Sequence, residues 1–222
     1  MKYTLSLLAG VAALGFASAG YAADLIVAAP VSPGVVSVSG NWDGAFVGAF
    51  AGWGVGEAFD ADDDFDFDDD DQTLELSGWM IGVDAGANFT LGSGIVAGIV
   101  GDIAWTNISG EDDTNPTTFD INWAASLRGR LGFDGGAFMP YLTAGLAVAG
   151  TEAFDEPDSD SATYVGWTVG AGVEFAVTDN VSIDLLYRFT DYGTQDFDLG
   201  YPALTPIDLT THSVQVGVHF GF

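Results

Sequence analysis

The chain ends in the stretch His212-Ser213-Val214-Gln215-Val216-Gly217-Val218-His219-Phe220-Gly221-Phe222, in which every second residue from Val214 onward is apolar. The residues between them are polar or small. A period of two is typical of a β-strand, because successive side chains point to opposite faces of a sheet. The sequence therefore predicts a terminal strand with one apolar face and one polar or small-residue face.

The same alternation recurs along most of the chain. We predict eight strands, near 43–56, 74–89, 95–106, 119–133, 139–151, 163–176, 181–191 and 212–222. Tight turns rich in Gly, Asp and Asn join three pairs of strands, at 90–94, 134–138 and 177–180. Longer segments join the others, at 57–73, 107–118, 152–162 and 192–211. Short turns at one rim and long loops at the other predict an all-β fold, an eight-stranded antiparallel up-and-down barrel.

The two faces of the predicted strands differ in composition. In the fourth strand, Ile121, Trp123, Leu127 and Phe133 lie on the apolar face. The opposite face carries Gly, Ala, Ser and Thr with roughly one or two charges in a strand, whereas a water-facing surface carries charges at about a quarter to a third of its positions. The apolar face fits either lipid or the interior of a soluble barrel. Because the opposite face is too small and too sparsely charged for water, we predict a transmembrane barrel with lipid outside.

Aromatic residues on the apolar face fall at two levels. The lower level consists of Phe89, Phe133, Phe175 and Phe222, and the upper level of Trp79, Trp123 and Trp167, joined by Trp53 and Trp105. Eight to ten residues separate the two levels in a strand. At about 3.3 Å per residue and a tilt near 40°, this spacing spans roughly 20–25 Å, the height of an outer-membrane apolar band. We therefore predict two aromatic girdles, one at each membrane surface.

The amino terminus has the features of a secretory signal peptide. Residues 1–23 combine a basic start, an apolar centre from Leu5 to Phe16 and small residues suited to cleavage. A membrane anchor is the alternative, but the apolar part is short for a span. We predict a cleaved signal peptide at 1–23, a lead-in at 24–40, a barrel at 41–222 and localisation in the outer membrane.

Three parts of the chain resemble segments of a known protein family. They are Trp42-Asp43-Gly44-Ala45-Phe46-Val47-Gly48, Leu127–Phe133 with Pro140–Gly145, and Gly166–Glu174 with Thr178-Asp179-Asn180. The family is that of small alphaproteobacterial outer-membrane barrels known as porin-like surface antigens, which are related to the OmpA membrane domain. The resemblance covers about 41–222. The chain differs in an unusually acidic first loop and in having no room for a peptidoglycan-binding domain after the barrel, so wall anchoring is not expected.

Charged side chains gather on the face assigned to the lumen. After the signal peptide the basic residues are Arg128, Arg130 and Arg188, and the same face carries Asp84, Asp102, Glu174 and Asp184. Buried charges are tolerated when they are paired. We therefore predict lumen ion pairs that lock a closed interior, with a selectivity constriction in a pore as the alternative. An eight-stranded barrel is just wide enough for side chains to fill it, which favours the closed interior.

An acidic run in the first long loop is the strongest compositional anomaly. It holds nine carboxylates in twelve residues, at Asp60, Asp62, Asp63, Asp64, Asp66, Asp68, Asp69, Asp70 and Asp71. Mutual repulsion predicts an extended, solvated loop. Weak binding of Ca²⁺ or Mg²⁺ is the alternative, because such ions prefer oxygen ligands, although the spacing of an EF-hand is absent.

Other classes of site find little support in the sequence. The net charge of −28 argues against a nucleic-acid partner. The chain has no cysteine, and its two histidines, His212 and His219, lie too far apart to predict a metal pair. No pattern assembles an activated nucleophile, so neither an enzyme nor a cofactor is predicted.

The expected function is that of a non-catalytic integral outer-membrane protein which contributes to membrane integrity and an acidic cell surface. A narrow porin-like channel for ions or small solutes is one alternative, and adhesion or cation binding by the loops is another. The expected partners are outer-membrane lipid and lipopolysaccharide, the barrel-assembly machinery through the C-terminal strand, and divalent cations.

Overall fold

The computed structural model of the chain describes residues 42–60, 73–111, 117–155, 158–197 and 205–222. They form eight strands: β1 (Gly44–Asp60), β2 (Thr73–Thr90), β3 (Ile95–Glu111), β4 (Thr117–Phe133), β5 (Phe138–Asp155), β6 (Asp158–Ala176), β7 (Val181–Phe197) and β8 (Thr205–Gly221). The predicted signal peptide, the lead-in at 24–40 and the acidic residues from 61 to 71 lie outside the described residues.

The eight strands close into a barrel. Each strand pairs antiparallel with the next one in the chain, and β8 returns to pair with β1. The terminal strand therefore has a partner on both sides, with Phe220 opposite Val47 of β1 and Val181 of β7. The prediction of an all-β, eight-stranded antiparallel up-and-down barrel is confirmed. Within the described residues, no helix is long and apolar enough to cross a bilayer.

Three tight turns lie at one end of the barrel, which we call the lower rim. They occupy residues 91–94, 134–137 and 177–180, close to the predicted positions. Asp134 Oδ1 accepts a hydrogen bond from Gly136 N (2.8 Å), and Thr178 Oγ1 accepts one from Val181 N (3.0 Å). Such local bonds are the reason that Asp and Thr favour turns. We call the opposite end the upper rim.

The strands extend beyond their predicted ends at the upper rim. β1 reaches Asp60 instead of ending at 56, and β7 reaches Phe197 instead of 191, while β8 begins at Thr205 instead of 212. The prediction of long connecting segments is therefore wrong in extent, for 57–73, 107–118, 152–162 and 192–211.

A change of polarity along the strands explains this error. In the upper part of β2, Leu74 and Leu76 point into the barrel, and Glu75 points outward. In the lower part of the same strand, Trp79 and Val83 are apolar and point outward. The period of two continues, but the apolar face moves from the outside to the inside. In the sequence, the run of outward apolar residues therefore stops at this height, and the upper segments resemble polar loops.

One predicted face assignment is wrong. The apolar alternation placed Ile121 on the outward face together with Trp123, but Ile121 is buried inside the barrel. The register of the β4–β5 ladder shifts between these two residues, and the β3–β4 ladder shifts between Trp105 and Ile108. A bulge adds one unpaired residue and reverses the face of everything beyond it.

Large apolar side chains cover the outside of the lower part. The predicted aromatic positions point outward and are all between 36% and 72% exposed: Trp53, Trp79, Trp105, Trp123, Trp167, Phe89, Phe133, Phe175 and Phe222. Trp53 lies opposite Trp79, and Trp105 lies opposite Trp123, so these side chains share one height on the barrel. We call this height the tryptophan level, and we call the parts of the barrel on either side of it the lower half and the upper half.

Candidate functional site

The described side chains fill the interior of the barrel in three layers. Near the lower rim, Trp42, Val96 and Met139 form a small apolar cluster. Above it lies the lumen charge network, which consists of Asp84, Asp102, Ser126, Arg128, Arg130, Tyr141, Glu174, Ser182, Asp184, Arg188 and His219. The upper core extends from just below the tryptophan level into the upper half, and it consists of Phe50, Ala58, Leu74, Leu76, Met80, Ala104, Ile108, Phe119, Ile121, Ala147, Ala149, Ala153, Tyr164, Tyr192, Ile207 and Leu209.

Asp102 of β3 is the centre of the first part of the network. Its Oδ2 lies 2.9 Å from Arg128 Nη2 and accepts a hydrogen bond from Ser126 Oγ, and its Oδ1 lies 3.2 Å from Arg188 Nη1. The Asp102 side chain is only 1% exposed. Strands β3 and β7 face each other across an eight-stranded barrel, so the bond between Asp102 and Arg188 crosses the lumen.

Glu174 of β6 is the centre of the second part. Its Oε2 accepts a charged hydrogen bond from Arg130 Nη2 of β4, and its Oε1 accepts one from Ser182 Oγ of β7. His219 of β8 lies beside both Glu174 Oε1, at 3.1 Å from Nδ1, and Asp84 Oδ2, at 3.2 Å from Nε2. A protonated imidazole donates to both carboxylates, whereas a neutral ring has only one N–H to donate.

The prediction of ion pairs gives Asp184 a cationic partner, but its hydrogen-bond partner is a tyrosine. Both of its carboxylate oxygens accept from the Tyr141 hydroxyl, at 2.8 and 2.9 Å. The Arg130 guanidinium lies over the Tyr141 ring, 4.2 Å from its centroid. With His219 protonated, four cations balance four carboxylates in the network, namely Arg128, Arg130, Arg188 and His219 against Asp84, Asp102, Glu174 and Asp184.

Sequence reasoning missed several members of this network. Tyr141 and His219 form hydrogen bonds to its carboxylates, as do the hydroxyls of Ser126 and Ser182. A signal was available, because all four residues lie at inward positions of their strands. The second histidine of the chain, His212, points outward. Its Nδ1 lies 2.8 Å from the Tyr187 hydroxyl.

Little free space remains inside the lower half. A cavity of about 20 Å³ lies among network residues that include Asp84, Arg130 and Asp184. This volume holds about one water molecule. Asp84 Oδ1 and Arg130 Nε have no hydrogen-bond partner among the described side chains, and a water molecule in that cavity could serve them. A second cavity, of about 40 Å³, lies at the lower rim beside Glu174 and His219, so the network leaves only small spaces in the lumen.

The upper core resembles the interior of a soluble protein. Tyr164 and Leu209 are fully buried in it, and Tyr192 is 5% exposed. The Tyr164 hydroxyl donates to the backbone oxygen of Ile207 (3.0 Å), and its ring meets that of Tyr192 edge-on at 6.5 Å. These contacts join the neighbouring strands β6, β7 and β8 on the inner side of the barrel wall in the upper half.

The structure offers no test of the predicted cation site. In the described residues, no group of three or more His, Asp or Glu side chains is placed to hold a metal ion. Asp60 ends β1, and the rest of the acidic run lies outside the described residues. Weak cation binding by that run stays a prediction.

Comparisons with known proteins agree with the fold. The family model described as "Outer membrane protein beta-barrel domain" matches residues 9–222. The 25 kDa outer-membrane immunogenic protein of Brucella abortus is 33% identical, over 95% of this chain and 94% of its own length. The 22 kDa outer membrane protein of Rhizobium leguminosarum is 35% identical, over 77% of this chain and 72% of its own length.

A third relative and one solved structure extend the comparison. The 31 kDa outer-membrane immunogenic protein of Brucella melitensis is 30% identical over 97% of this chain and 98% of its own length. The crystal structure of Neisserial surface protein A matches with a TM-score of 0.50 and 18% identity, over 80% of this chain and 97% of that one. At that identity, the match to the solved structure shows the fold alone.

Proposed function

Because the chain belongs to the family of outer-membrane β-barrel domains and is located in the outer membrane, we propose that it is a closed, non-catalytic barrel. Its role is to strengthen the membrane and to present an acidic surface outside the cell. The lower half spans the apolar part of the membrane, and the lower rim faces the periplasm, as short turns do in this class of barrel. The upper half then stands outside the cell.

The observation that carries this proposal is the double closure of the interior. The bond between Arg188 and Asp102 crosses the lumen at the height of the membrane. The upper core fills the barrel above it, with Leu76 and Leu209 almost or fully buried. An ion would have to break buried ion pairs and then enter an apolar interior, and both steps are costly.

The outer surface of the upper half supports the second part of the proposal. From Trp53 to Asp60, β1 continues for seven residues above the tryptophan level. At about 3.3 Å per residue and a tilt near 40°, this part stands roughly 15–20 Å above the membrane. Exposed acidic side chains on the outer surface of the upper half include Glu57 of β1, Glu75 of β2 and Asp196 of β7. Two of the relatives are named immunogenic, which is consistent with an accessible outer surface.

Single-channel conductance of the refolded mature protein in a planar bilayer tests the closed lumen. We expect a silent bilayer, with folding shown by a heat-dependent shift on an unboiled gel and with insertion shown by protease protection of the lower half. A general porin added to the same bilayer provides the control for detection. Discrete openings that change in size when Arg128 or Arg188 is replaced by alanine would instead make the network a pore filter.

A further inference from the structure

His219 separates two small cavities inside the lower half. The lower-rim cavity, of about 40 Å³, and the inner cavity, of about 20 Å³, share this residue and no other among the described residues that line them. His219 itself is only 5% exposed. Its imidazole is therefore the partition between the two spaces.

The lower-rim cavity connects the rim to this ring. Its lining includes the exposed residues Asp43 and 178–180, and also the buried Glu174 and His219. Its volume holds about three water molecules. In the proposed orientation the lower rim faces the periplasm, so periplasmic water reaches the imidazole and exchanges protons with it.

The imidazole connects two strands that are not neighbours in the barrel. Its Nδ1 lies 3.1 Å from Glu174 Oε1 of β6, and its Nε2 lies 3.2 Å from Asp84 Oδ2 of β2. Between β8 and β2 runs β1, in which Gly48 is paired with both His219 and Asp84. A Cβ atom added at Gly48 would overlap the His219 ring and the Asp84 carboxylate. The contact between Asp84 and His219 thus depends on a glycine.

The other charged or titratable groups around this bridge have partners of their own. These groups and partners are Asp184 of β7 with Tyr141 of β5, Arg130 of β4 with Glu174, and Asp102 of β3 with Arg128 and Arg188. The contribution of β1 is the uncharged ring of Phe46, centred 4.9 Å from the imidazole. Asp84 differs, because His219 is its hydrogen-bond partner and its Oδ1 has none among the described side chains. Asp102 lies opposite Asp84 in the β2–β3 ladder and repels it.

The two carboxylates lose different amounts of support when the ring gives up a proton. A neutral imidazole has one N–H and one bare nitrogen. Without His219, Glu174 still accepts from Arg130 and Ser182. Asp84 has no such substitute, and a buried carboxylate without a partner is costly. The remaining N–H therefore stays on Nε2, toward Asp84, and the bond from Nδ1 to Glu174 is lost.

We propose that His219 is a proton-dependent latch at the periplasmic end of the lumen. With both ring nitrogens protonated, it holds Asp84 of β2 and Glu174 of β6 together and keeps the two cavities apart. When the Nδ1 proton passes to water in the lower-rim cavity, the ring releases Glu174 and the cavities join. The latch is thus closed at mildly acidic pH and opens as the pH rises through the titration of the ring. Such a latch presupposes the closed lumen proposed above and sets the condition under which its lower end admits water.

Nitrogen-15 NMR of the histidine rings in the refolded protein tests the first step. The chain has two histidines, and His212→Gln removes the signals of the one on the outer face. We expect His219 to show two protonated ring nitrogens at the acidic end of the titration and the Nε2–H tautomer at the alkaline end. The Nδ1–H tautomer at the alkaline end would overturn the proposal. So would a ring whose protonation does not change over the pH range in which the barrel stays folded.

A cysteine in the inner cavity tests the second step. The chain has no cysteine of its own, and Thr143 lines this cavity. Thr143→Cys is made alone and together with His219→Gln, whose uncharged amide has N–H groups on one side only and does not replace both imidazole bonds. Because the thiolate is the reactive form, rates of alkylation by iodoacetamide are compared between the two proteins at each pH. We expect the double variant to react about tenfold faster or more at mildly acidic pH, and the ratio of rates to approach one as the ring titrates.

Two glycine substitutions separate the latch from a general loosening of the lumen. Gly48→Ala places a methyl group against the His219 ring and the Asp84 carboxylate. Gly217→Ala places one at ordinary contact distance, 3.5 Å from Phe50 Cβ and 3.6 Å from His219 Nε2. In the Thr143→Cys protein at mildly acidic pH, we expect Gly48→Ala to raise the alkylation rate about tenfold or more and Gly217→Ala to leave it within about twofold. The heat-dependent gel shift checks that every variant folds.

The labelling experiments can also overturn the latch. Equal alkylation rates with and without His219→Gln at every pH would do so, as would equal effects of the two glycine substitutions. Either result would leave the closed barrel intact, because single-channel conductance tests that separately. A wild-type barrel that conducts would instead refute the closed lumen, and the latch with it.

Discussion

The lower and upper halves of the barrel share one backbone alternation and have opposite side-chain polarity. In the lower half, Val83 and Leu142 point outward and the charges of Asp102 and Arg188 point inward. In the upper half, most large apolar side chains point inward, with Val55 and Phe59 as exceptions, and polar ones such as Glu75 point outward. The tryptophan level is the boundary between the two arrangements. A barrel that crosses a membrane surface exchanges its faces at that height, because its outer solvent changes from lipid to water.

The inside of the lower half provides the largest expected effect. Asp102→Ala removes the carboxylate that Arg128 and Arg188 share and leaves two buried guanidinium groups without it. We expect the free energy of unfolding, measured in urea in detergent micelles or lipid vesicles, to fall by about 3–5 kcal/mol. Arg128→Ala should cost less, because Asp102 keeps Arg188 as a partner. An equal loss in both variants would contradict the shared-carboxylate arrangement.

Substitutions on the outer face of the two halves are expected to have the next largest effect. They test directly whether lipid surrounds the lower half and water the upper half. Val83 points outward in the lower half between the two aromatic levels, and Val55 points outward in the upper half. We expect Val83→Arg to lower the free energy of unfolding in lipid vesicles by about 2–4 kcal/mol. Val55→Arg should change it by about 0.5 kcal/mol or less. Similar losses for the two variants would place the membrane boundary elsewhere.

The inside of the upper half gives a smaller but well-defined effect. Leu209 is fully buried in the upper core, and its neighbour Thr210 points to the outer face. We expect Leu209→Ala to lower the free energy of unfolding by about 2–3 kcal/mol, because it leaves a cavity among apolar side chains. Thr210→Ala is the matched control and should have little effect. If Leu209→Ala were also neutral, the upper half would not be a packed core.

The sequence predicted the lower half well because two independent signals coincide there. Apolar alternation marks the strands, and Gly-, Asp- and Asn-rich segments mark the turns, so β2, β4 and β6 end within one residue of the predicted positions. Much of the upper half was not predicted as strand, above all in β1, β7 and β8, because the apolar face changes sides above the tryptophan level. The bulge beside Trp123 has no sequence signal of its own, which explains the error at Ile121.

The lumen residues were predicted as a set, but their partners were not. Inward positions follow from the period of two, which placed the three arginines and the four carboxylates on one face. The contact between Asp102 and Arg188 depends on which heights of β3 and β7 coincide across the barrel. That height is set by the tilt and stagger of all eight strands together, which a linear pattern does not contain.

The packed upper half has a consequence for immune recognition. Glu57 of β1 and Thr210 of β8 lie side by side on its outer face, although more than 150 positions separate them in the chain. An antibody against this face therefore contacts residues from several strands at once, and its epitope exists only while the barrel is folded. Short synthetic fragments of the chain would be poor substitutes for such an antigen, and boiling in detergent would abolish it.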